Sequence, residues 1–480
     1  MKFFGRQEEI QTLRRQLELC EKRHCARMVV VTGRRRIGKT TLILKALQGR
    51  DCPFVYCFVP RVTSERELAV QIISMLSEQL EIRFPPTLTR LSETINYVLE
   101  LSKKQALVLV IDECQDIDSF APAFWSELQK VWDLGKNDAK LLLVMSGSLQ
   151  SSLERIFGDK SEPLYGRCDV LMTVPAFSCA TLQEIFTLEG AGARPADFLT
   201  LYALTGGVAR YVEYFVDNEA MTREAMLRQI FSNDGSWFRS EGNLMLANEF
   251  RLSSPIYLEI LQKIAAGSTK RSEIQDNISQ DVSAYIKRLE ELFGIVSRVS
   301  PLLRENNVRQ MRYRIADPYF RFWLQFISPV QMQALAEAGM WTRMIQLVEK
   351  ALPTFLGRSL EQWFVRQTLE TGQWDLVGGW WDRKGQNEID LVAINQETRK
   401  ILIGEVKTNP KKFQEEMLCQ KAQVFLNELK LQNYEVELRG LSVEDMLNEK
   451  MLEYIDDQEL IRLVQERKEE PLVDVDLDRF

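Results

Sequence analysis

Histidine is nearly absent from this chain of 480 residues, since His24 is the only one. A site that moves protons would therefore have to use carboxylates, lysines or a metal-bound water instead of imidazole. The eight cysteines are scattered and include no Cys-x-x-Cys pair, which argues against a zinc site. We expect reduced thiols, as is typical of a cytoplasmic protein.

Long apolar runs are also missing. The longest, "ALVLVI" and "LLLVM", have the length of strands and are far short of a membrane span. The chain begins with a charged amphipathic pattern rather than a secretory signal, so we expect no membrane association. The hydrophobic share of 45% and the charged share of 27% are typical of globular proteins. A chain of this length is expected to form several domains.

What the sequence does contain is a phosphate-binding pattern, "VVVTGRRRIGKTTLIL", over residues 29–44. An apolar strand, a G-x-x-x-x-G-K-T loop and a helix follow one another, as this motif requires. Gly33 and Gly38 would allow the tight loop, Lys39 would reach the terminal phosphates, and Thr40 would ligate Mg²⁺. The three arginines between the glycines either steer phosphates or form a solvated loop.

Two further apolar runs end in polar residues. "ALVLVIDECQDI" places Asp112 and Glu113 at the end of one strand, and "KLLLVMSGS" places Ser146 and Ser148 at the end of another. Ligands of open α/β sheets bind at the carboxyl ends of the strands. Asp112 would therefore hold Mg²⁺, and Glu113 would orient or deprotonate the attacking water.

These stretches, with "FFGRQEEIQTL" at the N-terminus and "MSGSLQ" after the third strand, resemble the AAA+ ATPases. The closer resemblance is to the archaeal-type branch that includes STAND-like relatives. It implies ATP and Mg²⁺ as cofactors, with Thr41 and Ser148 added to the nucleotide-binding residues and Thr40 and Asp112 at the metal.

The same resemblance suggests arginines that contact the nucleotide. Arg167 lies in "EPLYGR", and Arg210 lies in "TGGVARYV" at a place that resembles the second sensor of these ATPases. Arg155 is a further candidate. For Arg155 and Arg167 the alternative is an ordinary surface or ion-pair role, because structural arginines are common.

After Phe177 the apolar spacing becomes helical, which predicts a small helical lid over the nucleotide. Helix-turn-helix punctuation then follows from Ser254, and two strand-like runs flank the turn "ENN". This order resembles a winged helix. Its wing would carry four arginines, so DNA contact is one interpretation and protein packing is the other; these arginines are Arg304, Arg309, Arg312 and Arg314.

Near the C-terminus, "RKILIGEVKTNP" sets Glu405 and Lys407 two residues apart on a strand, so both point to one face of the sheet. The order of helix, three strands and helix around this run resembles the PD-(D/E)XK nuclease-like superfamily. That resemblance implies catalytic roles for Asp390, Glu405 and Lys407, and metal binding by Glu361, Asp390 and Glu405. Their hard oxygen ligands suit Mg²⁺, with Mn²⁺ as the alternative.

Three readings of this C-terminal pattern stay open: an intact nuclease site, a remnant that keeps the fold without catalysis, and a surface ion pair on a half-exposed strand. The preceding "WWDRKGQ" adds residues that could stack on bases or contact phosphates; these are Trp380, Trp381, Arg383 and Lys384.

The sequence as a whole predicts an α/β protein with four parts. They are a P-loop AAA+ parallel-sheet domain, a helical lid, a winged helix-turn-helix domain, and an α/β restriction-endonuclease-like domain, over residues 1–176, 177–250, 251–330 and 331–480. We expect an ATP-hydrolysing protein that controls a metal-dependent nuclease-like domain acting on nucleic acid. DNA is favoured over RNA as its substrate. The alternatives are a nucleotide-switched regulator that binds DNA or protein without cutting, and a DNA translocase or loader. Whether the protein forms a homo-oligomer is left open.

Overall fold

The computed structural model describes residues 1–148, 150–190, 193–249, 254–304 and 310–447. The chain divides into two compact units. One unit holds Lys2–Ala176 and Val208–Glu213, and the other holds Phe177–Gly207 and the chain from Tyr214 onward together with Met1. The division of the chain into four domains stays a prediction.

A five-stranded parallel sheet forms the centre of the first unit. Its strands stand in the order β2-β3-β4-β1-β5, and every neighbouring pair is parallel. The inner strands are buried along almost their whole length, which explains their continuous apolar sequence. This sheet confirms the predicted parallel α/β core; its strands are β1 (Arg27–Thr32), β2 (Phe54–Phe58), β3 (Leu107–Asp112), β4 (Leu141–Gly147) and β5 (Val170–Thr173).

Helices surround this sheet, and several of them share its apolar core. A capping box fixes the start of one of them, because Ser64 and Glu67 each accept a hydrogen bond from the other's backbone N–H. The helices are α1 (Gln7–Arg23), α2 (Lys39–Leu47), α3 (Glu65–Gln79), α4 (Leu91–Ser102), α5 (Phe124–Gly135) and α6 (Gln150–Gly158).

Helices also follow Phe177, as the apolar spacing predicted. They are α7 (Cys179–Glu189), α8 (Pro195–Thr205), α9 (Ala209–Asp217), α10 (Arg223–Ile230) and α11 (Ser236–Leu244). Within the second unit the indole of Trp363 packs edge-on against Phe198 and Tyr202 of α8, with centroid distances of 5.0 Å to each ring.

The next stretch contains three helices and an antiparallel strand pair: α12 (Pro255–Ala266), α13 (Arg271–Gln275), α14 (Ser283–Glu291), β6 (Val296–Val299) and β7 (Arg312–Ile315). The predicted helices and the two strands of the hairpin are present. The turn "ENN" and Arg309 lie outside the described residues. The identity of this stretch as a winged helix stays a prediction.

The C-terminal part is built on a second sheet, in the order β11-β10-β9-β8. Within it β8, β9 and β10 are antiparallel neighbours, and β11 runs parallel to β10. The elements of this part are α15 (Pro318–Phe326), α16 (Val330–Glu337), α17 (Trp341–Glu370), β8 (Leu376–Trp381), β9 (Glu388–Asn395), β10 (Lys400–Lys407), α18 (Glu415–Leu429) and β11 (Glu435–Ser442). A C-terminal sheet domain is thus present, and its nuclease-like identity stays a prediction.

Across residues 1–148, 150–190, 193–249, 254–304 and 310–447, no helix combines the length and the apolar character needed to cross a membrane.

Candidate functional site

The phosphate loop joins β1 to α2 and depends on two glycines. Gly33 has φ 148° and Gly38 has φ 94°, values that disfavour other residues. A Cβ atom on Gly33 would also lie 2.7 Å from the carbonyl oxygen of Val174. Both glycines are therefore required by the backbone, as the motif predicted.

Lys39, the first residue of α2, is 6% exposed. Its ammonium donates hydrogen bonds to the carbonyl oxygens of Gly33, at 2.9 Å, and of Arg34, at 3.3 Å. The charged group is thus held at the loop itself, where the phosphates of a nucleotide would lie.

The carboxylate of Asp112, at the end of β3, accepts four hydrogen bonds. The Thr40 hydroxyl donates to one carboxylate oxygen at 3.0 Å, and the Tyr56 hydroxyl donates to the same oxygen. The other oxygen accepts from the Ser146 hydroxyl and, at 3.0 Å, from the backbone N–H of Glu113. These contacts fix the carboxylate beside the hydroxyl of Thr40.

A hydroxyl and a carboxylate oxygen 3.0 Å apart are hard donors of the kind that Mg²⁺ prefers. Thr40 and Asp112 therefore fit the predicted Mg²⁺ site of a P-loop ATPase. Thr41, the next residue of the helix, is exposed, and its role in nucleotide binding stays a prediction.

Tyr56 was not anticipated from the sequence. It lies on β2, a short edge strand whose burial alternates and which no long apolar run announces. Burial raises the pKa of the Tyr56 hydroxyl, and its hydrogen bond to Asp112 adds to this effect. The phenol is therefore a neutral donor to Asp112. The sequence signal that could have identified Tyr56 was its position as a polar residue near the carboxyl end of a strand in the same sheet.

Glu113 has a left-handed backbone, with φ 55°, a conformation that costs free energy in a residue other than glycine. One of its carboxylate oxygens accepts hydrogen bonds from the Ser148 hydroxyl at 2.8 Å and from the Gln115 amide at 2.5 Å. Ser148 was predicted at this edge of the sheet, whereas Gln115 was missed. These contacts hold one carboxylate oxygen of Glu113 in place, and its role in hydrolysis stays a prediction.

The segment Val208–Glu213 belongs to the same unit and lies against the phosphate loop. The backbone N–H of Arg210 donates to the carbonyl oxygen of Arg36 at 3.1 Å, and the guanidinium of Arg34 lies 5.6 Å from the ring centroid of Tyr211. The side chain of Arg210 pairs with Glu213 at 2.6 Å. Its sensor role stays a prediction.

The other two arginines are held by acids. The guanidinium of Arg167 binds both carboxylate oxygens of Asp133, at 2.9 to 3.1 Å, and Arg155 pairs with Asp118 at 2.7 Å and with Glu162 at 3.3 Å. These contacts are those of the ion-pair alternative. A contact of either arginine with nucleotide stays a prediction.

The C-terminal sheet places Asp390 and Glu405 on neighbouring strands. Asp390 accepts a hydrogen bond from the backbone N–H of Val406 at 2.8 Å. The ammonium of Lys407 lies 2.7 Å from Glu405 and 3.8 Å from Asp390. Asp390, Glu405 and Lys407 are thus brought together, as the predicted pairing of their two strands suggested.

The pKa values of Asp390 and Glu405 are shifted in opposite directions. Burial raises the pKa of Asp390, and the Val406 N–H and Lys407 oppose this effect only in part. Burial also acts to raise the pKa of Glu405, but hydrogen bonds from Lys407 and Lys421 outweigh it, so that this pKa is lowered. Lys421, which donates to Glu405 at 2.7 Å, was missed because nothing distinguishes it from other helix lysines in the sequence.

Glu361 lies on α17. Burial, followed by repulsion from Asp390 and Glu388, raises its pKa to about 7. Within the described residues, no three or more His, Cys, Asp or Glu side chains gather in a way that could hold a metal ion. The structure therefore does not assemble the three predicted acids as one ligand set, and metal binding by Glu361 stays a prediction.

The tryptophans before the motif were wrongly interpreted as nucleic-acid stackers. Trp380 is 0% exposed and Trp381 is 6% exposed. The Trp381 indole N–H donates to the carbonyl oxygen of Gln310 at 3.0 Å, and the guanidinium of Arg312 lies 4.1 Å from its ring centroid. Trp380 instead packs edge-on against Phe425 of α18, with the ring centroids 5.4 Å apart, while Arg383 and Lys384 remain exposed.

Acids of the C-terminal part form ion pairs with two of the predicted wing arginines. Arg312 pairs with Glu388 at 2.5 Å, and Arg304 pairs with Glu428. Arg314 instead donates to the Ser297 hydroxyl at 3.0 Å. Arg304 and Arg312 are thus paired with acids, and contact of the wing with DNA stays a prediction.

Two family models match parts of the chain. A model of an ATPase domain predominantly from Archaea matches residues 3–215, and a model of archaeal and bacterial proteins of unknown function matches residues 323–418. An uncharacterized protein of Methanocaldococcus jannaschii is 24% identical over 421 residues, which cover 84% of this chain and 87% of that protein.

Solved structures with similar folds include the Walker-type ATPase of Pyrococcus abyssi, at 21% identity and a TM-score of 0.49, over 67% of this chain and 96% of that chain. The Orc2 protein of Aeropyrum pernix, solved as ADPNP and ADP complexes, is 16% identical, with a TM-score of 0.47, over 73% of this chain and 96% of that chain. At these TM-scores the similarities carry no conclusion about this chain.

The parallel sheet, the phosphate loop and the first family match agree. Together they support the predicted P-loop ATPase, and residues 3–215 are similar to an ATPase domain described as predominantly from Archaea. The C-terminal match brings no activity with it.

Proposed function

We propose that this protein hydrolyses ATP in its N-terminal domain and that the nucleotide state controls metal-dependent cleavage of nucleic acid at Asp390, Glu405 and Lys407. DNA is favoured over RNA as the substrate. The observation that supports ATP hydrolysis is the hydrogen-bond network that fixes Asp112 and Glu113 beside the phosphate loop. The second half is supported by two carboxylates that share the ammonium of one lysine.

In the ATP site, the residues of this chain have distinct tasks. The Lys39 ammonium would exchange its carbonyl contacts for the terminal phosphates, while the loop N–H groups bind the remaining phosphate oxygens. Thr40 and Asp112 would hold Mg²⁺, which when bound neutralises charge on the phosphates. Glu113 would accept a proton from the attacking water, and Ser148 and Gln115 hold its carboxylate in place.

In the C-terminal site, the carboxylates of Asp390 and Glu405 both lie close to the ammonium of Lys407. Asp390 and Glu405 offer hard oxygen donors, so they would hold Mg²⁺ or Mn²⁺. The bound ion would supply polarisation of the phosphodiester and acidification of water. Lys407 would stabilise the negative charge that develops on the phosphate.

A second candidate function is a nucleotide-switched regulator without nuclease activity. It is favoured by the pairing of Glu405 with two lysines and of two wing arginines with acids. In the described residues no larger acidic cluster suited to a metal is present. In that case the C-terminal sheet would act as a binding or packing module.

The test is a cleavage assay on single- and double-stranded DNA and on RNA, with Mg²⁺ or Mn²⁺ and with or without ATP. Wild type is compared with Asp390→Ala and Lys39→Ala. Glu397→Ala, in the exposed turn between β9 and β10, is the control for removing an acid from the same domain. ATP turnover is measured on every variant.

We expect cleavage by wild type and by Glu397→Ala, and none by Asp390→Ala. Loss or gain of cleavage in Lys39→Ala would establish control by the nucleotide. Intact ATP turnover with no cleavage under any condition would reject the nuclease and favour the regulator.

A further inference from the structure

Lys421 lies on α18, one turn from residues that anchor this helix to the sheet. Leu418, Ala422 and Phe425 of the helix are buried in the core of the C-terminal sheet. The side chain of Lys421 is 18% exposed, and its ammonium is 2.7 Å from Glu405. Helix packing therefore delivers this lysine to the site, and chance placement of a surface side chain does not explain it.

The two oxygens of Glu405 are each paired with a different lysine. One binds Lys407 at 2.7 Å and the other binds Lys421 at 2.7 Å. Lys407 also faces Asp390 at 3.8 Å. Two carboxylates and two ammonium groups thus form a compensated cluster, which is the condition under which partly buried charges are tolerated.

The two lysines are attached differently. Lys407 is two residues from Glu405 on the same strand, so the sheet fixes it on the same face as Glu405. Lys421 reaches the cluster from a separate helix through a flexible four-carbon stem. Both ammonium groups are carried on flexible stems, but only Lys421 is attached outside the strand that carries Glu405.

We propose that Lys421 is a second functional lysine of this site, a positioning residue that holds Glu405 until a divalent cation takes that carboxylate and then binds a phosphate oxygen of a nucleic-acid strand. This inference rests on the proposed function of the C-terminal site and names a further residue of it. The ammonium that the cation displaces keeps its charge, and an anionic phosphate supplies the partner that Glu405 no longer provides.

The experiment uses the full-length protein with the substitutions Lys421→Met and Lys421→Arg. Methionine keeps an unbranched stem and removes the charge, while arginine keeps the charge. Lys400→Met is the control, since Lys400 lies on the same sheet and pairs with an acid, Glu435, at 3.7 Å. Mn²⁺ binding is measured by calorimetry, and binding of a labelled DNA oligonucleotide is measured with Ca²⁺ over a range of salt concentrations.

We expect Lys421→Met to bind Mn²⁺ more tightly than wild type, because a competing cation has been removed from Glu405. The same variant should bind DNA more weakly, and the slope of log affinity against log salt should fall by about 1, as for the loss of one phosphate contact. Lys421→Arg should restore the slope. Lys400→Met should change neither quantity.

Equal or weaker Mn²⁺ binding by Lys421→Met, or an unchanged salt slope, would overturn the role of Lys421. Absence of both Mn²⁺ and DNA binding in wild type would overturn it as well. A wild type that binds both but cuts no substrate would reject the nuclease function alone. Thermal melting of each variant shows whether the fold is intact, and the Lys421→Arg result decides the question if Lys421→Met unfolds.

Discussion

At the scale of single residues, Asp112 shows how hydroxyl groups from three different strands and helices fix one carboxylate. Thr40, Tyr56 and Ser146 come from α2, β2 and β4. Their convergence depends on the parallel order of the sheet, which brings the carboxyl ends of its strands to one edge.

Tyr56→Phe should slow ATP hydrolysis by about tenfold, since a hydrogen bond to a charged group is worth roughly 1.5–3 kcal/mol. ATP affinity should change little, because the phosphate loop is untouched. Steady-state ATPase rates over a Mg²⁺ titration, with nucleotide affinity measured separately, provide the check. Tyr97→Phe, a partly buried tyrosine of the same core, is the control, and equal rates for both variants would contradict the role of Tyr56.

Glu113→Gln should retain ATP binding and lose hydrolysis by roughly 10²–10⁴-fold, the usual contribution of a general base. Glutamine keeps the hydrogen-bonding shape but cannot accept the proton. Single-turnover hydrolysis and nucleotide binding should be measured together. A variant that hydrolyses ATP normally would remove Glu113 from the reaction.

Glu361 should make stability depend on pH. Its pKa rises from 4.5 in the unfolded chain to about 7 in the folded protein, so the folded state binds the proton more tightly between these values. The free energy of unfolding should therefore fall as the pH rises through this interval, by up to about 3 kcal/mol.

The measurement is the melting temperature of wild type and Glu361→Gln in EDTA from pH 4.5 to pH 8. Glutamine imitates the protonated acid, so the variant should lose the part of the slope that Glu361 contributes. Parallel pH curves for the two proteins would be inconsistent with the raised pKa.

At the scale of elements, the strand pair β6–β7 is attached to the C-terminal sheet. The backbone N–H of Leu302 donates to the carbonyl oxygen of Gly379 at 3.0 Å, and Gln310 exchanges hydrogen bonds with Trp381 at 3.0 and 3.2 Å. Arg312 adds its ion pair and its stacking on Trp381. These contacts close one edge of the sheet.

Reversing one charge in this contact should destabilise it, and reversing both should restore it. Arg312→Glu places two acids together, whereas Arg312→Glu with Glu388→Arg recreates the pair. We expect a coupling free energy of about 0.5–1 kcal/mol, as for partly exposed ion pairs. Chemical denaturation of the wild type, both single variants and the double variant gives this value, and additive effects would show that the pair is not coupled.

The strands that the sequence predicted are buried continuously, whereas the strand that it missed is buried only at alternate residues. β1, β3 and β4 are buried on both faces and are written as apolar runs, so periodicity finds them. β2 alternates, with exposed Phe54 and Phe58, and no motif lies at its end. Trp380 and Trp381 were misjudged because distant residues bury them: Trp381 contacts Gln310, about 70 positions earlier, and Trp380 packs against Phe425.

The candidate sites follow the same rule. The strand–loop–helix motif and the ends of apolar strands located the phosphate loop, Asp112, Glu113 and Ser148, since motif and fold are local there. Tyr56 and Lys421 enter their sites through tertiary packing. No pattern within their own segments distinguishes them from other tyrosines or lysines.

At the scale of the whole molecule, α17 connects parts of the second unit that are distant in sequence. Trp363 fills a space beside Phe198 and Tyr202. The guanidinium of Arg366 donates to the carbonyl oxygens of Phe177 and, at 3.4 Å, of Gly206. The helical segment after Phe177 therefore shares its core with the C-terminal part.

A chain that ends at residue 330 should for this reason be poorly folded beyond the ATPase domain. Removing Trp363 alone is worth about 3–5 kcal/mol in a core position, and the truncation also exposes Phe198 and Tyr202. Limited proteolysis of the truncated and full-length proteins should show rapid cleavage after residue 177 only in the truncated one. Equal resistance would mean that the helical segment is stable without α17.

The division of the chain has a consequence for how such proteins diversify. From Lys2 onward, the backbone passes between the two units at residues 176–177, 207–208 and 213–214. A single genetic crossover can exchange everything on one side of one junction, but it cannot separate two units between which the chain crosses three times. Descendants of this gene would therefore be expected to keep the segment Val208–Glu213 with its own phosphate loop, and a chimera of two relatives would have to exchange both in matched pairs.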